Sequence, residues 1–363
     1  MIIVYSIKEV DMTNKRPLEN MINEDARKKR TPLKIGVCLS GGAIRGVAHV
    51  GVLRVLYNEF VPIDFIAGSS AGSIVAGLYS LYGYHASWEA FENTLKSRSI
   101  FQFKKRKGSE LFDSSYFRSW LKELFGDATF DDVKIPLEIT ALDIRSGKTV
   151  YISEGYLRDA IYASCAIPGA WKPAKIDDMI LVDGSFGNDV PVDWLRQRGA
   201  DIIIVSIVNI YNEYLYGSGF SLSRILKLMT SSNIAKPIIT TLGTALEYGT
   251  KNMKDLDRKP IKALLRTMAV FGRNFDKQKW GTDADVKIVP NVGDFYSSNP
   301  GYIPHKSRLE FVAAGAIATW KKIPHIKYLL KDIESQKELS LTASEKIKKR
   351  ISDVKKSVLQ VVS

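Results

Sequence analysis

The chain has 363 residues, 45% hydrophobic and 25% charged, the balance of a globular protein with room for one large α/β domain or two small ones. Its formal net charge of +13 points to anionic partners, but no helix-turn-helix, zinc-finger or RNA-binding signature accompanies it, so no nucleic acid is expected. No apolar run reaches the roughly 18 residues that span a bilayer, and the opening "MIIVYSIKEVDMTNKR" becomes charged too early for a signal-peptide core. Cys38 and Cys165 are the only cysteines, too few for a disulfide framework, and the four histidines show no Cys/His clustering. A cytoplasmic protein with no metal and no cofactor is the expectation.

Residues 1–31 read as a polar, basic N-terminal extension ending in "DARKKR". Regular patterning begins at Leu33. "LKIGVCL" is a short β-type run, "SGGAIRG" a glycine-rich turn, and "VAHVGVLRVLYNEF" carries its apolar residues at helical spacing. "IDFIAG" and "AGSIVAGLYSLYG" repeat the strand, turn and helix order. Two such units in succession predict a mostly parallel sheet covered by helices. "IPLEITALDIRSGKTVYIS" reads as two strands around "RSG", and "YLRDAIYASCAIPGAWKP" as a helix stopped by Pro168 and Gly169. "DDMILVDGS" is a strand ending at Asp183, "VPVDWLRQRGA" a short helix, and "DIIIVSIV" a buried strand. "ADVKIVP" predicts a last strand and "SRLEFVAAGAIATWKKI" a closing helix. The expected division is the extension, an α/β hydrolase domain over 32–325, and a charged helical segment over 326–363.

Gly68-Ser69-Ser70-Ala71-Gly72 matches G-x-S-x-G. A nucleophilic serine must stand on a tight strand-to-helix turn, with small residues two positions either side so that neighbouring backbone can pass. The bland reading is a βα turn using Gly and Ser for geometry alone. "SGGAIRG" offers successive backbone amides at a helix start. That suits either a phosphate, as in a dinucleotide fold, or the oxyanion of acyl transfer. Ala43 in place of the middle glycine, and Asp64 at the start of its strand instead of the end, speak against the dinucleotide reading. A serine needs a base. His305 and His325 are the histidines far enough downstream for a Ser, Asp, His order, whereas His49 suits a packing role. A carboxylate bonded to the hydroxyl can serve instead, and Asp183, at the carboxyl end of an apolar strand, is the best placed.

"GGAIRG", "GSSAG" and "DGS" in this order, with "ASCAIPGAWKP" before the aspartate strand, resemble the patatin-like phospholipase family over roughly Leu33 to Val208. The resemblance implies a three-layer α/β/α fold with a central, mostly parallel sheet. It also implies Ser70 as nucleophile and Asp183 as its base, in a dyad without histidine. Gly68 and Gly72 would form the nucleophile elbow. The amides around Gly41, Gly42 and Ala43 would form an oxyanion hole, with Arg45 and Gly46 ordering that loop. Many members carry a third glycine at the position of Ala43, and a glycine or alanine at that of Ser185; alanine demands an allowed φ but still offers an N–H, and Ser185 is small and should fit.

The implied activity is hydrolysis of lipid esters, of phospholipase A or lysophospholipase type. Its rivals are an esterase of small soluble acyl esters and a non-catalytic lipid-binding or regulatory protein. Over 343–358, Ile347, Ile351, Val354 and Val358 make an apolar stripe flanked by six Lys/Arg against two Asp/Glu. Such a helix packs its stripe on the body or lies on an anionic membrane; the first reading is slightly favoured. The segment 259–275 invites the same two readings. Peripheral contact with an anionic membrane is therefore an expectation beside the lipid or acyl-ester substrate.

Overall fold

The computed structural model describes residues 33–96, 114–168, 171–208, 283–292, 305–333 and 335. The extension over 1–31, the stretch 211–281 with the segment 259–275, and the stripe over 343–358 lie outside these residues.

The β-branched runs of the sequence become the middle of a sheet. Strands β1 (Ile35–Leu39), β2 (Phe65–Ser69) and β7 (Ile202–Ser206) pair in parallel, with β3 (Leu137–Asp143) beside β2 and β8 (Val286–Ile288) beside β7. β6 (Met179–Asp183) and β4 (Lys148–Ile152) run antiparallel to β3, and β5 (Ala174–Ile176) pairs with β6. The order is β5-β6-β3-β2-β1-β7-β8, with β4 on β3. Cys38, Ala67 and Val205 are neighbours across the central strands and pack with Val192 and Leu195. The alternate residues Val37, Leu39, Ile66 and Ile204 are equally buried, so both faces of the sheet are covered.

The cover consists of α1 (Ala48–Asn58), α2 (Ala71–Lys96), α3 (Ser114–Phe125), α4 (Leu157–Cys165), α5 (Val192–Gln197) and α6 (His305–Trp320). These elements all lie within one compact unit, Lys34–Leu330. The fold is thus the expected three-layer α/β/α arrangement with a mostly parallel sheet.

The register on β3 positions the site. At Ile139 and Thr140, β3 is paired with both β2 and β4; at Ala141 to Asp143 it is paired with both β6 and β4. A strand has two edges, so β2 and β6 share the edge opposite β4. Ser69 ends β2 against Thr140, and Asp183 ends β6 against Ala141, the next residue along. The carboxyl ends of the two strands therefore meet head to head.

Three details depart from the sequence reading. Helix α3 and the three-residue strand β5 were not among the expected elements. Helix α4 stops at Cys165, before Pro168, because the carbonyl of Ala166 accepts the Asp183 N–H instead of continuing a helical ladder. Helix α2 runs past "AGSIVAGLYSLYG" but breaks at Gly83, with φ 75° and ψ 178°, a conformation open to glycine alone.

Helices α1 and α6 approach most closely at two glycines. A Cβ on Gly51 would lie 2.8 Å from the Ala316 nitrogen and clash with the Val312 carbonyl; one on Gly315 would clash with the Ala48 carbonyl. Backbone cannot rotate away as a side chain can. Gly315→Ala should therefore lower stability by about 1–3 kcal/mol through overpacking, outweighing the roughly 1 kcal/mol that alanine gains in helix propensity. Chemical denaturation measures this, and an unchanged or higher midpoint would refute it.

Candidate active site

Ser70 sits between β2 and α2 with φ 47°, a left-handed conformation that costs a non-glycine residue about 1–3 kcal/mol. Its neighbours hold it there. The Ser70 N–H donates to Ser164 Oγ at 2.8 Å, and the Ser70 carbonyl accepts from the Ser73 N–H at 2.9 Å and Ser73 Oγ at 2.6 Å. The small flanking residues are required by close approach. A Cβ on Gly68 would lie 2.6 Å from the Gly72 carbonyl oxygen, and one on Gly72 would lie 2.6 Å from the Ser40 carbonyl oxygen.

The Ser70 hydroxyl donates to Asp183 Oδ2 at 2.7 Å. The other carboxylate oxygen, Oδ1, accepts the Ser185 N–H at 2.9 Å. Ser70 is 6% exposed and Asp183 3%. Burial dominates the Asp183 ionisation and pushes its pKa up to about 6, against the lowering effect of the Ser70 and Ser185 hydrogen bonds. Asp189 adds a second raising influence through its charge.

The glycine-rich turn lies beside this pair. Gly41 follows β1, and a Cβ on it would be 3.1 Å from Ser70 Cβ and would clash with Ser185 Oγ. A 3₁₀ turn, Ala43–Val47, begins with the Arg45 N–H bonding the Gly42 carbonyl at 3.1 Å. The N–H groups of Gly42 and Ala43 precede that ladder. Ala43 is exposed and takes φ 49°. Gly46 packs against the start of α2, where a Cβ would lie 2.5 Å from that of Ala71. Arg45 is half-buried within the turn. The Gly41 amide, expected among the oxyanion donors, instead donates to Asp189 Oδ1 at 2.7 Å. Asp189, 2% exposed, was not anticipated; the one sequence signal is a second acid shortly after "DGS".

His49 is buried, with Nε2 2.8 Å from the Ser40 carbonyl and Nδ1 2.8 Å from Ser206 Oγ. A carbonyl only accepts, so Nε2 carries the proton and Nδ1 accepts from the serine. Burial lowers the His49 pKa to about 4. His325 is exposed, and His305 opens α6. Among the described residues, Ser70 Oγ is given no histidine partner, no group of acids, cysteines and histidines could hold a metal ion, and no helix is long and apolar enough to cross a membrane.

Residues 37–195 match the family model described as patatin-like phospholipase. A patatin-like phospholipase domain-containing protein of Caenorhabditis elegans is 32% identical over 209 residues, 55% of this chain and 15% of that protein. Lysophospholipase nte1 of Aspergillus fumigatus is 26% identical over 195 residues, 52% of this chain and 13% of that protein. The chain thus spans a small part of these curated relatives. The crystal structure of VipD from Legionella pneumophila is 13% identical, with a TM-score of 0.43 over 82% of this chain and 68% of that one.

The raised Asp183 pKa has a stability consequence. Its folded value of about 6 lies above its ordinary value of 3.8, so the native state holds the proton more tightly. This contribution is fully present below about pH 4 and is lost as the pH rises through about 6, at a cost of roughly 3 kcal/mol at most. Asp183→Asn should then melt no lower than the wild type at pH 8, with its relative advantage vanishing at pH 4. A markedly lower Tm at pH 8 would contradict it.

Proposed function

We propose that the protein is a serine acyl hydrolase of lipid esters, of phospholipase A or lysophospholipase type, with Ser70 as nucleophile and Asp183 as base. The observation that carries this reading is the 2.7 Å hydrogen bond from the Ser70 hydroxyl to a buried carboxylate. The match of residues 37–195 to the patatin-like phospholipase model and the name of the Aspergillus relative support the substrate class.

In the proposed reaction, Ser70 Oγ attacks the ester carbonyl carbon while Asp183 takes the hydroxyl proton. The N–H groups of Gly42 and Ala43 stabilise the oxyanion, and the first turn of α2 adds its positive end. When the tetrahedral intermediate collapses, the ester C–O bond breaks and the proton passes from Asp183 to the departing alcohol oxygen. The acyl-enzyme then reacts with water, whose proton Asp183 accepts, and Ser70 is restored as the acid leaves. A pKa near 6 makes Asp183 a better base than an ordinary aspartate, yet leaves it ionised at neutral pH.

A fluorophosphonate probe should label Ser70 and nothing on Ser70→Ala; labelling that persists, or that maps to Ser40 or Ser69, rejects the assignment. The acid limb of kcat/KM should fall with an apparent pKa of about 6, because the ionised carboxylate is the active form. Asp183→Asn should lose several orders of magnitude in kcat, whereas His305→Ala should stay within about tenfold. The reverse ranking points to a histidine base.

The net charge of +13 and the basic stripe over 343–358 further support peripheral docking on anionic membranes. Co-sedimentation should then favour anionic over neutral liposomes, weaken with salt, and fall when residues 343–363 are removed. Equal binding by both chains assigns the contact elsewhere.

A further inference from the structure

Gly41 is the most confined residue of the site. Ser70 Cβ, Ser185 Oγ and Asp189 Oδ1 surround its α-carbon so closely that none leaves room for a side chain. It is also the hinge between β1, whose hydrogen bonds run to β2 and β7, and the 3₁₀ turn that follows the amides of Gly42 and Ala43. Whatever holds Gly41 sets where those amides point. Two groups do so: Ser40 Oγ, next in the chain, donates to its carbonyl at 2.9 Å, and Asp189 Oδ1, 148 residues away, accepts its N–H.

A carboxylate is a costly choice for that duty. Asp189 is 2% exposed, and an acid taken out of water needs strong compensation. A neutral amide oxygen would accept the Gly41 N–H at less cost. An amide would hold the Gly41 N–H but would carry no charge toward Asp183.

We infer that Asp189 is a positioning residue: its buried carboxylate clamps the Gly41 amide, fixing the Gly42–Ala43 turn against Ser70, and its charge acts on Asp183. The inference rests on the Ser70–Asp183 chemistry proposed above. Among the described residues, the groups that face Asp183 divide clearly. Ser70 Oγ and the Ser185 N–H donate to it, the Ser185 hydroxyl adds to them, and all three favour its charged form. β3 presents Ala141 opposite it. α4 contributes Cys165, whose thiol is kept protonated by burial first and by the Asp183 charge second. Asp189 is the group whose charge opposes a charge on Asp183. One side chain thus couples the two halves of the chemistry: the amides that receive the oxyanion and the acid that receives the proton.

Two substitutions separate these effects. Asp189→Asn keeps an oxygen for the Gly41 N–H and removes the charge. Its kcat at pH 8 should stay within about threefold of the wild type, while the acid limb of kcat/KM moves to lower pH by about half a unit or more. Asp189→Ala removes the acceptor as well, and should lower kcat about 10- to 100-fold with KM within about threefold, the pattern of a lost transition-state contact. Thermal melts accompany both, and if the alanine variant does not fold, the pH profile of Asp189→Asn decides alone. An unmoved acid limb in Asp189→Asn, or a wild-type kcat in Asp189→Ala, overturns the inference. Fluorophosphonate labelling of the wild type is read on the same samples. Labelled Ser70 with an unmoved limb sinks the role of Asp189 alone, whereas an unlabelled Ser70 sinks the hydrolase reading and this role with it.

Discussion

The structure depends on how one edge of β3 is shared. Up to Thr140 that edge is occupied by β2, running parallel; from Ala141 it is occupied by β6, running antiparallel. A purely parallel sheet could not bring two strand ends together in this way, because all its carboxyl ends would lie side by side, a strand width apart. Reversing one strand puts the carboxyl end of β6 directly in line with that of β2. The Ser70–Asp183 distance is therefore set by backbone hydrogen bonding, the least deformable feature of a sheet. Because side chains alternate along a strand, a one-residue slip of β6 would turn Asp183 to the other face. Fold and site select the same register.

The strain at Ser70 makes sense within that frame. A left-handed serine is tolerated because Ser164 takes its N–H and Ser73 donates twice to its carbonyl. Ser164 belongs to α4, the helix whose end is bent by the Ala166 carbonyl turning to the Asp183 N–H. The same short segment thus braces both members of the pair. Buried serines and close-packed backbone take the place that large apolar side chains hold elsewhere in the core, which is why so many positions here are Gly, Ser or Ala.

Much of this was legible in the sequence where the information is local. A β-branched run followed by glycines and a helical period announces its strand, turn and helix without reference to the rest of the chain, and "GSSAG" and "ILVDGS" mark the ends of β2 and β6. What was not legible depends on residues far apart. The alternation within "LEITALD" cannot say that its edge changes partner between Thr140 and Ala141. Nothing near Gly41 reveals that its amide is taken by Asp189, so the glycine turn read as three donors where one is already bound. Helix α3 carries Phe117, Trp120, Leu121, Leu124 and Phe125 at helical spacing, a local signal the sequence reading passed over, whereas β5, a three-residue strand, has no periodicity of its own.

His49 gives the molecule a particular response to acid. Held neutral between Ser40 and Ser206, it refuses a proton that an ordinary histidine would take below about pH 6.5, and this works against the folded state as the pH falls toward 4. Asp183 does the opposite, accepting a proton near pH 6 that an ordinary aspartate would decline until about 3.8. Across the mildly acidic range the two groups exchange roles, one proton gained where one is withheld, and their effects on stability oppose each other. On the chemistry proposed here, acidification would then silence the site by filling its base while these two groups leave the fold nearly indifferent, and neutralisation would restore it without refolding.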